Sequence, residues 1–275
     1  ATTTHTNRHM VRVRKKNPFV TSRVLKQDLN LSMSTATIRK RLIEVKLPAR
    51  SPRKVPLLTA RIILNRLNFA KPHINWPVEK WRNILWSDEC KIELFGTSGK
   101  QQHVRRPPGG ELLPQYTVKT VKYGGGKLMI WGCFSYYETG SIFRIPVIMD
   151  SLGYVNMLEN VLLSYAEEEM PLKWIFQQEN GPKHTSRRVK AWFTEKHIEV
   201  LDWPAQSPDL NPTENLWCDI KKAVYDAKPS NAQELWTTVR QAWENIPESK
   251  CRALVDSMPR RCAAIIKNKG YTTKN

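Results

Sequence analysis

The sequence predicts an α/β fold with a mixed sheet, preceded by a small all-α segment. Strand patterns, alternating or continuously apolar, occupy residues 83–96, 127–134 and 141–149. Two shorter buried strands are predicted at residues 173–178 and 198–204, and amphipathic helical patterns separate them. Three strands followed by alternating helices and strands are typical of a sheet that contains both parallel and antiparallel pairs.

Helical patterns fill the second half of the predicted domain. Apolar residues recur at helical spacing in residues 152–169 and 185–197, and a third helix is predicted over residues 212–227. Pro212 suits the first turn of that helix, where its missing N–H costs little. In such α/β sheets, functional groups gather where strands end and helices begin.

Length and composition limit the class of protein. The 275 residues with 40% apolar content suffice for one sizeable core and a small extra module. No apolar run approaches the roughly 18 residues that cross a bilayer, and the first residues lack the apolar centre of a secretory signal, so we expect an intracellular protein with no membrane partner. Five scattered cysteines without metal or disulfide spacing are expected to be reduced thiols.

The positive charge is concentrated at the N-terminal end. Residues 1–80 carry 18 Lys and Arg against 3 acidic residues, whereas residues 81–275 carry 26 against 22. A cationic segment joined to a nearly neutral domain indicates a polyanion partner such as double-stranded DNA. A solubilising or localising tail is the alternative explanation for the charge alone.

Two short helices separated by a turn are predicted inside the basic segment. Their apolar positions are Val24, Leu25 and Leu29, then Ile38, Leu42 and Val45. Ser32 or Ser34 would cap the second helix. This spacing is that of a helix-turn-helix, whose second helix enters the major groove of DNA, although any basic helical hairpin has a similar pattern. The candidate DNA-contacting residues of that helix are Thr35, Thr37, Arg39, Lys40 and Arg41.

A linker and a further helix follow. The proline-rich and arginine-rich residues 47–58 break the helical pattern and include Arg53 and Lys54 as further candidate DNA contacts. Ile62, Ile63, Leu67 and Ala70 then recur at helical spacing. The predicted organisation is a helix-turn-helix segment at residues 1–50, a basic linker and helix at residues 51–80, and a catalytic domain at residues 81–275.

Three acidic residues occupy strand ends and a helix start. Asp88 lies in the first strand, Glu179 follows the fourth, and Glu214 begins the helix after the SPDLNP turn, with 34 residues between the last two acids. Phosphodiester cleavage uses two divalent ions about 4 Å apart, and carboxylates are the ligands that magnesium prefers. The alternative is that Asp88 and Glu214 only cap the ends of a strand and a helix.

Long blocks of the sequence closely resemble the mariner-type cut-and-paste DNA transposases of the Tc/mariner superfamily, from about Thr21 to the C-terminus. The blocks are LWSDECKIELFG, VKYGGGKLMIWGCF, IFQQENGPKHTS, VLDWPAQSPDLNPTENLW and SMPRRCAAIIKNKGY. The resemblance implies a ribonuclease-H-like catalytic domain, a nuclear location, and Mg²⁺-dependent cleavage and strand transfer at inverted-repeat DNA ends. It also implies that Asp88, Glu179 and Glu214 are the catalytic, metal-binding triad, for which Mn²⁺ can replace Mg²⁺.

Further features follow from the resemblance. Residues 96–126 stand where the family carries a clamp loop that reaches the partner subunit of a homodimer, although an ordinary long hairpin is the alternative. Asn180, Lys183 and His184 would line the site or touch DNA, while His184 could equally be a structural histidine. Asp209 and Asn211 are expected to shape the turn that presents Glu214 rather than to bind metal.

Two departures from the family pattern bear on activity. The family has Asp where this chain has Glu179, so the second carboxylate is one methylene longer. Relative to the mariner pattern, the chain also begins near the second half of a bipartite DNA-binding module, as in an N-terminally truncated member. The alternatives are therefore an impaired transposase, a non-catalytic DNA-binding relic or domesticated protein, and a general nuclease of the same fold.

Overall fold

The computed structural model describes residues 4–52, 55–94, 107, 109, 113, 126–146 and 148–274. It divides into two compact units, Ala1–Val55 and Pro56–Asn275. The predicted clamp loop at residues 96–126 lies almost entirely outside the described residues, as do Arg53 and Lys54. Among the described helices, none is both long enough and apolar enough to cross a membrane.

Three helices form the first unit: α1 (Thr4–Lys16), α2 (Ser22–Asp28) and α3 (Thr35–Glu44). The hydroxyls of Thr21 and Ser34 cap α2 and α3 by accepting backbone N–H groups, as residues of this type do at helix starts. The core residues of the unit are Met10, Leu25, Ile38 and Leu42, all buried. The two predicted helices are therefore present, and α1, which the sequence analysis did not predict, completes their core.

Two residues predicted to face this core are instead exposed. Val24 is 40% exposed because Leu25 and Leu29, four residues apart, define the inward face of α2. Val45 is 46% exposed because α3 ends one residue earlier, at Glu44. The helical pattern thus predicted both helices but not every residue that faces the core.

The second unit has nine helices and five strands among its described residues. It begins with α4 (Ala60–His73), α5 (Val78–Arg82), β1 (Ile84–Glu93), β2 (Lys127–Phe134) and β3 (Thr139–Ile145). Next come α6 (Ser151–Met157), a π-helical turn (Leu158–Leu162), α7 (Leu163–Glu169), β4 (Ile175–Gln177), α8 (Arg187–Glu195) and β5 (Glu199–Val200). The chain ends with α9 (Thr213–Ala227), α10 (Ala232–Glu244), α11 (Glu248–Asp256) and α12 (Met258–Lys267).

The five strands form one mixed sheet in the order β3-β2-β1-β4-β5. β1, β2 and β3 pair antiparallel, whereas β4 pairs parallel with both β1 and β5. In the register of β1 with β4, Trp86 lies opposite Gln177. Asp88 and Glu179 each lie two residues further along the chain, so the register places Asp88, in the middle of β1, beside the point where the chain leaves β4.

Both faces of the sheet are covered, as expected for a sheet with parallel strands. On one face Trp86 and Ile130 pack in a cluster with Trp217 of α9 and Trp243 of α10. On the other face Trp131 and Phe176 join a cluster that includes residues of α6, α7 and α8. Side chains alternate along a strand, so Asp88 shares its face with Trp86 and points toward the α9 side.

The predicted boundary after residue 80 differs from the division seen in the structure. Helix α4 lies in the second unit, where it packs against α12, and its buried Arg66 bonds to Asp209 and to the carbonyl of Gly270. The basic composition of residues 51–80 suggested a linker, but the polar partners that hold Arg66 lie far away in sequence. The described part of the linker is therefore confined to residues before Ala60.

Gly270 allows the C-terminal segment to close against α4. Its φ is +83°, and a Cβ there would lie 2.5 Å from the carbonyl oxygen of Ile63. We expect Gly270→Ala to lower the free energy of unfolding by about 2–4 kcal/mol, through left-handed strain and a backbone clash. Gly126→Ala is the matched control, because Gly126 has φ +126° but a Cβ added to it would meet no described atom within 4 Å. Thermal denaturation of both variants should show the larger loss for Gly270→Ala, and equal losses would contradict the contact argument.

Candidate active site

The three predicted acids come from three separate elements of the second unit. Asp88 lies on β1 and is 5% exposed, Glu179 is exposed just after β4, and Glu214 is partly buried in the first turn of α9. Because of the strand register, the middle of β1 and the loop after β4 place two of these carboxylates near the carboxyl end of β4. The start of α9, packed on β1, delivers the third.

Asp88 is held by two hydrogen bonds. Trp217 Nε1 donates to Oδ2 over 3.1 Å, and the backbone N–H of Glu89 donates to Oδ1 over 2.9 Å. Gly132 faces Asp88 across the strand pair, and a Cβ there would come within 3.0 Å of the rings of Trp217 and Trp243. A small residue on β2 therefore leaves the space in which the indole reaches the carboxylate.

Electrostatic repulsion links the three carboxylates. Burial raises the pKa of Asp88 well above its usual range, and the negative charges of Glu214 and then Glu179 raise it further. Burial also raises the pKa of Glu214, where Lys221 opposes and Glu179 adds to the effect. Glu179 therefore disfavours ionisation of Asp88 and of Glu214, and Glu214 disfavours ionisation of Asp88, as expected where like charges face one region.

The carboxylate oxygens are hard ligands of the kind that Mg²⁺ and Mn²⁺ accept. As placed, however, the described part of the chain has no group of three His, Cys, Asp or Glu residues close enough together to hold a metal ion. Asp88 is fixed by its hydrogen bonds, whereas the side chain of Glu179 is exposed. The oxygen donors suit a divalent ion. To hold one together, the side chains would have to move closer, and the exposed Glu179 side chain has room to do so.

The loop after Glu179 is fastened to β1 through Glu89. Lys183 Nζ donates to Glu89 Oε2 over 2.6 Å, and His184 Nε2 lies 3.2 Å from Glu89 Oε1. His184 Nδ1 lies 3.0 Å from the carbonyl oxygen of Glu179, and its ring packs against Tyr154. Burial alone would raise the pKa of the Glu89 carboxyl, but the bonds from His184 and Lys183 lower it overall.

These contacts give His184 and Lys183 partners inside the protein. The structural interpretation of His184 accounts for its burial, and DNA contact by either residue stays a prediction. Asn180 also bonds inward, donating from Nδ2 to the carbonyl of Trp203. Glu89 was missed in the sequence analysis, although an acid directly beside Asp88 was a visible signal.

Ser87 and Gln177 tie the two strands together just before the acids. The N–H of Ser87 donates to Gln177 Oε1 over 3.1 Å, and Ser87 Oγ donates to the carbonyl of Gln177 over 2.8 Å. Both residues are buried. These side-chain bonds join β1 to β4 in addition to the backbone ladder. They therefore limit how far Asp88 and Glu179 can separate.

The SPDLNP turn presents Glu214, as expected from the sequence. Asn211 Oδ1 accepts the N–H of Thr213 over 3.1 Å at the start of α9. Asp209 accepts two hydrogen bonds from Arg66 and two from Thr273, which engages its carboxylate in protein contacts. Both residues therefore shape the turn.

In the first unit, the exposed side of α3 carries both basic and apolar side chains. Arg39 and Lys40 are exposed, together with Ala36 and Ile43 on the side opposite the buried Ile38. The other three predicted contacts are partly engaged. Thr37 Oγ1 lies 3.0 Å from Ser34 Oγ, Arg41 pairs with Glu44 at 2.9 Å, and Thr35 is the half-buried first residue of the helix. Ala36 and Ile43 were not among the predicted contacts.

The buried charge at Asp88 predicts a pH-dependent stability. Because the pKa of this carboxyl is raised in the folded chain, its stabilising contribution is complete in acid, below the unfolded pKa, and is lost as pH rises through the folded pKa. Without added metal, Asp88→Asn should therefore raise the melting temperature at pH 8, by about 2–4 °C if the gain is about 1 kcal/mol. The gain should shrink at pH 5.

Asp226→Asn, at an exposed position on α9, is the control for the loss of one negative charge. Calorimetric scans at both pH values measure the difference. Equal melting temperatures of wild type and Asp88→Asn at pH 8 would show that the carboxylate is not under electrostatic strain.

Comparison with known proteins gives one consistent result. Residues 7–75 match a transposase family model with a Tc3-type helix-turn-helix, and residues 83–236 match the model of the DDE superfamily endonucleases. The Tcb1 transposase of Caenorhabditis briggsae is 41% identical over 276 residues, which cover 98% of this chain and 99% of that relative. The Tc1 transposase of Caenorhabditis elegans is 42% identical over 241 residues, which cover 88% of each.

Solved structures share the fold at lower identity. The Mos1 transposase paired-end complex with left transposon end superposes with a TM-score of 0.83 at 19% identity, covering 98% of this chain and 80% of that one. Mos1 paired-end complexes with Mn and with Mg have TM-scores of 0.80 at 19% and 18% identity, with the same coverage. The predicted ribonuclease-H-like fold is thereby confirmed, and the extent of identity to Tcb1 and Tc1 shows the family. The chain belongs to the Tc1/mariner family of DNA transposases.

Proposed function

We propose that Asp88, Glu179 and Glu214 form the catalytic centre with which this transposase cuts DNA at transposon ends and joins the ends to target DNA. The observation that carries the proposal is that the charges of Glu214 and Glu179 raise the pKa of Asp88, and that of Glu179 raises the pKa of Glu214, although the three acids come from β1, the loop after β4 and the start of α9. Repulsion of this kind destabilises the folded chain unless a cation balances it. A catalytic role explains why the protein retains this repulsive cluster of carboxylates.

Divalent metal is the cofactor that suits these ligands. When bound, Mg²⁺ or Mn²⁺ would activate an attacking oxygen and stabilise the leaving oxygen of a phosphodiester. The paired-end complexes with Mn and Mg support this choice. In this chain Asp88, whose oxygens are oriented by Trp217 and the Glu89 N–H, would hold the ion together with Glu214 and Glu179.

The exposed Glu179 side chain sets the expected level of activity. Its extra methylene, relative to the family aspartate, moves the carboxylate by about 1.5 Å unless its rotamer compensates, and Mg²⁺ demands near-octahedral geometry. The hydrogen bond between His184 and the Glu179 carbonyl restrains the backbone from absorbing that shift. We therefore expect weak cleavage with Mg²⁺ and better cleavage with Mn²⁺.

Glu179→Asp should increase DNA cleavage. Restoring the shorter side chain returns the carboxylate to the distance that the family uses, and an error of about 1 Å at a reacting centre costs on the order of 10²-fold in rate. Nicking of supercoiled plasmid with Mg²⁺ and with Mn²⁺ measures the effect for the wild type and the variant side by side.

Two controls define this experiment. Glu168→Asp makes the same chemical change at an exposed position of α7 and should leave the rate unchanged. Asp88→Ala should abolish cleavage in both backgrounds. If the wild-type chain cuts as fast as Glu179→Asp, glutamate is a competent ligand here and the geometric argument fails.

A non-catalytic DNA-binding protein is the second candidate function. It is favoured by the open arrangement of the carboxylates, since no three acidic, histidine or cysteine residues in the described ranges converge at metal-binding distance. Under this function Glu179→Asp would gain no cleavage with either ion, while DNA binding by the first unit would persist. The plasmid assay therefore separates the two candidates.

DNA is the proposed partner of the first unit. Residues 1–55 carry 14 Lys and Arg against 2 acidic residues, and α3 presents Arg39 and Lys40 as exposed side chains. A homodimer joined through residues 96–126 and a nuclear location remain proposals that rest on family resemblance.

Replacing Arg39 and Lys40 together by alanine should weaken DNA binding and its salt dependence. Each lost phosphate contact lowers the slope of log K against log salt by about 0.9, so a change of nearly two units is expected if both touch phosphate. Arg41→Ala should change the slope less, because Glu44 already pairs with Arg41. Anisotropy titrations on duplex DNA between 50 and 200 mM salt, roughly the range over which such contacts are resolved, measure the slopes. Identical slopes for wild type and the double variant would exclude α3 as a backbone-binding helix.

A further inference from the structure

A buried polar cluster surrounds the turn that carries Glu214. At its centre Arg66 of α4 is fully buried. Its guanidinium donates to Asp209 Oδ1 over 2.8 Å and Oδ2 over 2.7 Å, to Ser207 Oγ over 2.8 Å, and to the carbonyl of Gly270 over 2.8 Å. These partners belong to the turn before α9 and to the segment after α12. One side chain thus connects three parts of the second unit that are distant in sequence.

The members of the cluster depend on one another. A buried guanidinium without a counter-charge is strongly destabilising, whereas a two-pronged bond to a carboxylate satisfies both its charge and its donors. The remaining capacity of Asp209 Oδ2 is used by the N–H and hydroxyl of Thr273, at 2.8 and 2.9 Å. Burial alone would raise the pKa of Asp209, but Arg66 and Thr273 lower it overall.

A second buried arginine, Arg261, links the same turn to Asn215, the residue after Glu214. Arg261 of α12 is anchored by Ser257 Oγ at 2.8 Å, and it donates to the carbonyl of Asp209 over 3.1 Å. Its other terminal nitrogen donates to Asn215 Oδ1 over 2.6 Å. Although burial lowers the pKa of Arg261 to about 10, it stays charged at neutral pH. The contacts therefore run without interruption from α4 to the first turn of α9.

The first turn of α9 needs such support. The first N–H groups of a helix have no partner within the helix, and Pro212 at the cap position provides no side-chain bond to them. Asn211 satisfies only the N–H of Thr213. The direction of the Glu214 side chain therefore depends on how firmly its surroundings are held. Ser207 and Asp209 before the helix accept bonds from Arg66, and Asn215 in its first turn accepts one from Arg261.

We propose that Arg66 and Arg261 are positioning residues that fix Glu214 in the active site, acting through Asp209 and Asn215. The inference deepens the proposed function and rests on it for the role of Glu214. It also assigns α4 a place in the catalytic unit, although the family model with the helix-turn-helix extends to residue 75 and so includes this helix. A segment matched together with the DNA-binding region thus supplies a residue that organises the catalytic centre.

Hydrogen exchange on the full-length chain tests the proposal. Arg66→Lys keeps the charge but cannot make the two-pronged bond, and Asn215→Ala removes only the last contact of the series and should leave folding intact. Amide exchange over residues 207–217 should become about tenfold faster in each, the factor that one lost hydrogen bond to a charged group represents. Exchange in β1 and α8 should stay at the wild-type rate. Arg252→Lys is the matched control, because Arg252 forms an exposed pair with Glu248 away from the turn.

A Mn²⁺ titration by calorimetry on the same proteins provides the second measurement. Arg66→Lys and Asn215→Ala should bind Mn²⁺ about tenfold more weakly than wild type and Arg252→Lys, as expected when one ligand loses its fixed position. Faster exchange limited to residues 207–217 with weaker Mn²⁺ binding supports the proposal. Unchanged exchange, a uniform increase across the unit, or faster exchange with unchanged Mn²⁺ affinity overturns the positioning role.

The two measurements also separate this inference from the proposed function. If wild type itself binds no Mn²⁺, the metal centre is wrong. In that case the exchange pattern alone decides whether Arg66 and Arg261 hold the start of α9, since that measurement requires neither metal nor DNA.

Discussion

The parallel pairing of β1 with β4 is the constraint on which the site depends. With Trp86 opposite Gln177, Asp88 in β1 lies beside the point where the chain leaves β4 and continues to Glu179, although the two acids are distant in sequence. A slip of one residue would send one of them to the opposite face of the sheet. The bonds between Ser87 and Gln177, and those from Lys183 and His184 to Glu89, add side-chain links at the same edge. Register, rather than any single loop, therefore places Asp88 and Glu179 in one region of the second unit.

This arrangement has an energetic cost within the fold. Three carboxylates share one region, and the most buried of them, Asp88, has its charge opposed by burial and by both neighbours. Hydrogen bonds from Trp217 and Glu89 offset part of that cost. The surrounding core is closely packed: Trp217 stacks on Trp243 with 4.9 Å between ring centroids, and Gly132 leaves room for both rings. Packing of large aromatic residues thus holds a locally unfavourable cluster of charges in place.

The sequence predicted much of the fold for identifiable reasons. Alternation and apolar runs indicated the five strands, and the capping serines and prolines indicated the starts of α3 and α9. It missed α1, whose inward residues Met10 and Val13 are too few for a periodic signal, and it assigned no helices after residue 227. Leu235, Val239 and Trp243, four residues apart, were a signal for α10 that could have been used.

The candidate site was predictable in part. The sequence motifs and their spacing indicated the three acids, Asp88, Glu179 and Glu214. They did not indicate the distances between the carboxylates, because side-chain placement depends on packing among distant segments. The roles of Arg66 and Arg261 were hidden for the same reason. Their bonds span 143 positions between Arg66 and Asp209 and 52 between Arg261 and Asp209, and no local pattern encodes such pairs.

The placement of Arg66 has a consequence for how these proteins can exchange parts. A DNA-reading module could be transferred between related transposases only if the junction preserves the partners of α4. A junction after residue 75 would join the α4 of one parent to the turn and C-terminal segment of the other, leaving a buried guanidinium opposite a surface shaped for a different helix. A junction near Val55, between the two compact units, keeps Arg66 with Asp209 and Gly270. The junction that preserves this ion pair therefore lies some twenty residues before the end of the matched helix-turn-helix region.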